Sequence, residues 1–202
     1  MANALSSQAS AAAASTQPSN LLPALFERYD QSRPLTVLHI GAALPETVDF
    51  FSDYRCSLHF VDLFGELPIE KTAEDKLSIQ QQFEQQLRFP QHTRFDVCLF
   101  WDIFNFLNRD AIFAFLRQIN PYLHAYTFGH GFVAHSLDKP QNDHLYGVNK
   151  TDEISLRHRP SLLPAYAPYN QSKLKELLHC LRIDRTVLLS DSRLELLLRA
   201  KL

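Results

Sequence analysis

The chain has 202 residues, 46% hydrophobic content, 20 basic and 22 acidic side chains, and a formal net charge of −2. That length supports one substantial core with little room for a second. The near-neutral balance argues against a protein that grips nucleic acid through clustered positive charge, and the single dense basic patch, Arg157-His158-Arg159, is too short to change this.

The segment from Met1 to Asn20 is rich in Ala, Ser and Gln and has no Lys or Arg. It lacks the charged region of a secretory signal and the arginines of a mitochondrial presequence. With so little large apolar surface to offset ordering entropy, residues 1–20 read as a disordered tail, and residues 21–202 as one α/β domain. No apolar run reaches the ~18 residues of a membrane span, so no membrane partner is expected. Cys56, Cys98 and Cys180 are odd in number and far apart. They read as reduced, buried thiols in a cytoplasmic protein.

Leu21 to Tyr29 reads as a short helix capped by Asn20. Leu35 to Ile40 is a near-continuous apolar run, the mark of a strand covered on both faces. Pro45, Glu46 and Asp49 suit a helix N-terminus, and Cys56 to Asp62 forms the second strand. In the polar stretch that follows, Ile79, Phe83 and Leu87 recur at helical spacing and predict a helix over roughly Glu74 to Arg88. Phe95 to Trp101 is a third buried strand. Asn108 caps a helix whose Ile112, Phe113, Phe115, Leu116 and Ile119 make a broad apolar face, and Ala125 to His135 reads as a further strand. Ser136 to Pro168 is long and polar, with no clear element. Asn170 caps a last helix, and Arg185 to Leu189 and Arg193 to Arg199 flank the turn-like Ser190-Asp191-Ser192 as an antiparallel hairpin. The order is that of a doubly wound, mostly parallel sheet with helices on both faces and an antiparallel ending.

From about Leu35 to Leu198 this layout resembles the class I S-adenosylmethionine-dependent methyltransferases. Val37 to Pro45 is similar to the family's first motif, a hydrophobic strand followed by acid-x-Gly-x-Gly-x-Gly. Phe60-Val61-Asp62 resembles the second strand, whose terminal acid holds the cofactor ribose, and Phe95 to Asp102 resembles the fourth family strand. The resemblance implies S-adenosylmethionine as cofactor, with Gly41, Ala42, Asp62, Trp101 and Asp102 around it. The first motif is divergent: His39 replaces the acid, and Ala43 and Pro45 occupy the second and third glycine positions. Asn105-Phe106 follows the fourth family strand without the prolines of amino-methylating enzymes.

Only five glycines occur, which excludes a P-loop and a full dinucleotide fingerprint. Gly129-His130-Gly131 lies inside a strand and reads as a bulge or a close packing contact. The nine histidines show no metal-ligand spacing, so no metal is expected. The catalytic residue is unspecified; a general base is sought among His130, His135 and His144, and Asp102 is a further candidate. Tyr146 to Arg159 and Tyr166 to Tyr169 are candidates for an acceptor pocket or a partner surface. Two readings stand: a methyltransferase with weakened or lost cofactor binding, whose acceptor the sequence does not specify, and a non-catalytic interaction module (a pseudoenzyme) on the same fold.

Overall fold

The computed structural model describes residues 14–30, 32–71, 77–138, 140, 144–159 and 162–201. In chain order the elements are β1 (Ser15–Pro18), α1 (Leu22–Phe26), β2 (Leu35–Ile40), α2 (Pro45–Ser52), β3 (Cys56–Val61), α3 (Ile79–Gln86), β4 (Val97–Trp101) and α4 (Arg109–Ile119). There follow β5 (Phe128–Ala134), β6 (His144–Lys150), β7 (Glu153–His158), α5 (Gln171–Leu177), β8 (Leu181–Leu188) and β9 (Arg193–Ala200).

The apolar runs of β2, β4 and β5 become the centre of a six-stranded sheet of order β3-β2-β4-β5-β9-β8. β2, β3, β4 and β5 pair in parallel, and β9 joins β5 and β8 antiparallel. This is the expected doubly wound class with its reversed ending. Alternation along each strand divides the core into two layers. Leu38, Ile40, Cys98 and Phe100 face α3, α4 and α5 through Phe83, Phe115 and Leu177. Val37, Val97, Leu99 and Trp101 face the other way, toward α1 and α2.

A second sheet, of order β1-β7-β6, covers this other face, and its Tyr146, Val148, Ile154 and Leu156 join the same core. The hairpin arises in the polar stretch for which the sequence indicated no element. Its buried centres, Tyr146 to Val148 and Ile154 to Leu156, include Gly147 and Ser155, so the strands carry no continuous apolar run. The hydroxyl of Thr47 in α2 accepts from the Val148 amide at 3.1 Å, and Arg157 pairs with Glu46 at 2.6 Å, so the hairpin is fixed to the start of α2.

The expectation of a disordered tail through Asn20 is corrected from Ser15 onward. Ser15–Pro18 pairs antiparallel with β7, and the Ser19 amide donates to Asp152 at 2.8 Å. Backbone pairing, which carries no hydrophobic signature, supplies the order. Residues 1–13 lie outside the described residues. The first helix is also shorter than expected, and Leu21 rather than Asn20 stands at its N-cap. Ser78 and Gln81 form a capping box that starts the third helix later than Glu74, and residues 72–76 of the expected helix lie outside the described residues.

Both glycines of the G-x-G are packing contacts. A Cβ on Gly129 would lie 2.7 Å from the Phe100 ring, and one on Gly131 would lie 2.8 Å from the Trp101 carbonyl. The bulge falls on the facing strand, where the β4 register shifts between Leu99 and Trp101 and Trp101 takes φ +50°.

Candidate functional site

The carboxyl ends of β2, β3 and β4 bring Gly41, Asp62 and Asp102 to one edge of the sheet, where open α/β sheets receive ligands. Gly41 has φ +136°, a conformation that L side chains rarely adopt, and its amide donates to Val61 at 2.8 Å. The turn continues through half-buried Ala42 and exposed Ala43. Pro45 then opens α2, where its missing N–H costs nothing. A helix start accounts for proline at this position. The space before Gly41 is used internally: a Cβ there would lie 3.6 Å from both the Phe64 ring and His39 Nε2. Phe64 in turn carries the Arg159 guanidinium 4.5 Å above its ring.

Asp62 is exposed at the end of β3 and opens a 3-10 turn, Leu63–Glu66, without capping it through its side chain. Asp102 differs sharply. Its side chain is buried, and among the described residues Oδ1 has no hydrogen-bond partner. Burial pushes its pKa up to about 7, against the pull of Arg159 and Arg193. Nearby, the Tyr146 hydroxyl accepts from Arg193 Nη1 at 2.9 Å.

Trp101 does not wall an open site. It is 1% exposed, stacks under Tyr146 at 5.4 Å and 12°, and donates from Nε1 to His39 Nε2 at 3.2 Å. His39, standing where the family motif has an acid, is thus a neutral acceptor inside the core, and burial lowers its pKa to about 3. His130 is also fully buried. Its Nε2 lies 2.8 Å from Glu195 Oε1, so the ring sits in a structural pair rather than at an open edge.

Glu195 was not singled out from the sequence, yet it gathers His130, the Ser19 hydroxyl and the amides of Asn20 and Leu21. An acid at an inward position of an apolar strand was the available signal. Tyr146 and Arg159 fall within the stretch flagged as a pocket or partner surface, and both reach the Asp102 region; Tyr166 packs on Phe106 at 5.5 Å. Among the described residues no group of three or more His, Cys, Asp or Glu side chains is placed to hold a metal, and no helix is long and apolar enough to cross a membrane.

No family model and no curated protein sequence matches the chain. Solved structures do. Ninety per cent of the chain aligns with 77% of a 1,6-didemethyltoxoflavin-N1-methyltransferase from Burkholderia thailandensis, solved with 1,6-didemethyltoxoflavin and S-adenosylhomocysteine, at 15% identity and TM-score 0.51. A type 11 methyltransferase candidate from Sulfolobus solfataricus aligns over 90% of both chains at 10% identity and TM-score 0.51. The mitomycin 7-O-methyltransferase MmcR matches 89% of this chain at 15% identity and TM-score 0.51, and this chain spans about half, 52%, of that one. Identities this low speak to architecture alone: the chain has the Rossmann-like fold of S-adenosylmethionine-dependent methyltransferases.

Proposed function

We propose that the chain binds S-adenosylmethionine at the carboxyl edge of β2, β3 and β4, as a methyltransferase-fold protein with a remodelled first-motif turn. The observation that carries this reading is Asp102, a buried carboxylate at that edge whose Oδ1 lacks a partner among the described residues. An unsatisfied buried acceptor costs about 1–3 kcal/mol, and a donor on a ligand would recover it. The residues fit the cofactor in part. Asp62 is exposed and suits a ribose diol, and the turn after Gly41 reaches the surface at Ala43. The cofactor, when bound, supplies an activated methyl group. The protein's own contribution is to orient the ligand, exclude water and hold a proton at Asp102, whose pKa near 7 leaves both protonation states populated at neutral pH. The three free cysteines fit a cytoplasmic setting.

A second reading rests on Phe64. Its ring, under Arg159, occupies the approach that glycine normally opens to a ligand, which favours a non-catalytic interaction module. Calorimetric titration with S-adenosylmethionine and S-adenosylhomocysteine separates the two. Micromolar binding that weakens about tenfold or more in Asp62→Ala is expected, since a carboxylate hydrogen bond contributes about 1.5–3 kcal/mol. Absence of heat and of thermal shift at millimolar ligand overturns the proposal in favour of the second reading.

A further inference from the structure

At the opposite edge of the sheet lies a cleft of about 390 Å³, lined by Arg28, Tyr29, Arg33, Asp96, His124 and Tyr126 among others. Leu35, which also lines it, is the first residue of β2, and Asp96 immediately precedes β4. Six residues of strand at ~3.3 Å each set this cleft about 20 Å from the Gly41 turn. Its volume falls within the ~300–1,000 Å³ of small-molecule sites.

The floor is built from groups that satisfy one another. Asp96 Oδ2 accepts from the Thr36 amide at 2.8 Å, and its main-chain carbonyl accepts from the Tyr29 hydroxyl at 2.6 Å. His124 Nδ1 accepts from the Tyr126 amide at 3.2 Å, so this nitrogen carries no proton. Its Nε2 lies 3.1 Å from Asp96 Oδ1, so both ring nitrogens are engaged inside the protein. The Asp96 carboxylate is thus internally occupied, and Asp30, the other acid lining the cleft, accepts from the Ser32 amide at 2.9 Å; the charged donors that face a ligand are the guanidiniums.

Arg28 and Arg33 supply them. Arg28 uses Nε on Ala24 and Nη2 on Asp184, the latter at a loose 3.7 Å, which among the described residues leaves Nη1 as its open edge. The positive charge extends past the cleft. Arg28 and Arg199 lie over the same Phe128 ring at 4.2 and 5.6 Å, and Arg199 stands directly opposite Arg182 across the β8–β9 ladder. Like charges facing across an antiparallel pair are unfavourable, and an anion relieves them. Beside this cluster Tyr126 is 73% exposed, an uncovered aromatic face next to His124.

We propose that this cleft binds a small phosphorylated aromatic compound of mononucleotide type. The phosphate is held by Arg28 and Arg33, and the ring stacks on Tyr126. Guanidiniums match phosphate oxygens in a planar, forked geometry, and an aromatic face accepts any base. The site is independent of the carboxyl-edge reading and does not require it.

Uridine monophosphate is the probe, because it shares no base with S-adenosylmethionine. Titration of the intact chain, followed by calorimetry and amide chemical shifts, is expected to give saturable binding with shifts centred on residues 28–36 and 124–128. Arg33→Gln and Tyr126→Ala change exposed side chains, so the fold should persist, and each is expected to weaken binding about fivefold or more. Uridine and inorganic phosphate should each bind at least tenfold more weakly than the nucleotide. Displacement of the nucleotide by S-adenosylhomocysteine, equal affinity in both variants, or no binding at millimolar nucleotide overturns the proposal. So does a dodecauridylate that binds far more tightly with steep salt dependence, which would mark a nucleic-acid surface.

Discussion

His39 and Glu195 occupy the same face of the central sheet, and each sets a different part of the response to acid. His39 stays neutral in the fold because burial lowers its pKa from 6.5 to about 3. Between those values the unfolded chain takes up a proton that the folded chain refuses, so stability falls as pH drops through that window. For Glu195, burial alone would raise the pKa. The hydrogen bond and electrostatic pull of His130, then Ser19 and the Asn20 amide, instead bring it from 4.5 down to about 2. Its contribution is present above 4.5 and is lost as pH falls toward 2. His39 should account for about 2 kcal/mol of acid-induced loss between pH 7 and 5, and Glu195 should add a further loss as pH falls from 5 to 3. Urea unfolding of His39→Gln, which keeps an acceptor for Trp101, should therefore be flatter across the first interval. Glu195→Gln should be flatter across the second. A variant that keeps the wild-type slope in its own interval would show that burial of that residue does not govern the acid response. At this scale the sequence marked Gly41, Asp62 and Asp102 by strand position, and the structure puts all three on one edge. It could not mark Trp101 as buried or His130 as paired, because both depend on partners from β6 and β9 that are distant in the chain.

Among the elements, the parallel strands β2 and β4 were legible because they are short apolar runs bounded by turn residues. β1 was not: Ser-Thr-Gln-Pro has no apolar pattern, and its order comes from backbone pairing with β7 and from side chains contributed by β9. Arg193 bonds to Gln17, and Glu195 receives Ser19, Asn20 and Leu21. Because Arg193 also donates to Tyr146, which stacks on Trp101, the strand is tied to the core beside the candidate site. A chain beginning at Leu21 should lose about 2–4 kcal/mol of stability, since it removes donors from a buried carboxylate. Hydrogen exchange should show where: amides of Glu153 to Leu156 lose protection first, while those of Val97 to Trp101 retain theirs until global unfolding. Equal protection of both segments in the shortened chain would mean that β1 lies on the hairpin without stabilising it.

At the scale of the whole molecule, the question is whether the small sheet and the central sheet unfold together. The sequence indicated a single domain from total length alone, and the structure supplies a physical basis for cooperativity. Ile154 and Tyr146 of the small sheet share one apolar cluster with Val37, Trp101 and Leu197 of the central sheet. The chain has one tryptophan, and it lies at this junction, under Tyr146 and against His39. Its fluorescence therefore reports separation of the two sheets, whereas far-ultraviolet circular dichroism reports the loss of all secondary structure. If the cluster acts as one core, the two signals should share a urea midpoint and slope. An earlier fluorescence transition would instead make the small sheet a separately opening layer, and the carboxyl-edge site would then be exposed in a partly open state. Ligand binding sharpens the same comparison. S-adenosylhomocysteine at a hundredfold excess over its dissociation constant should add about 2.7 kcal/mol. In a single cooperative unit that gain must appear equally in both signals; a shift in circular dichroism alone would separate the binding edge from the sheet that covers Trp101.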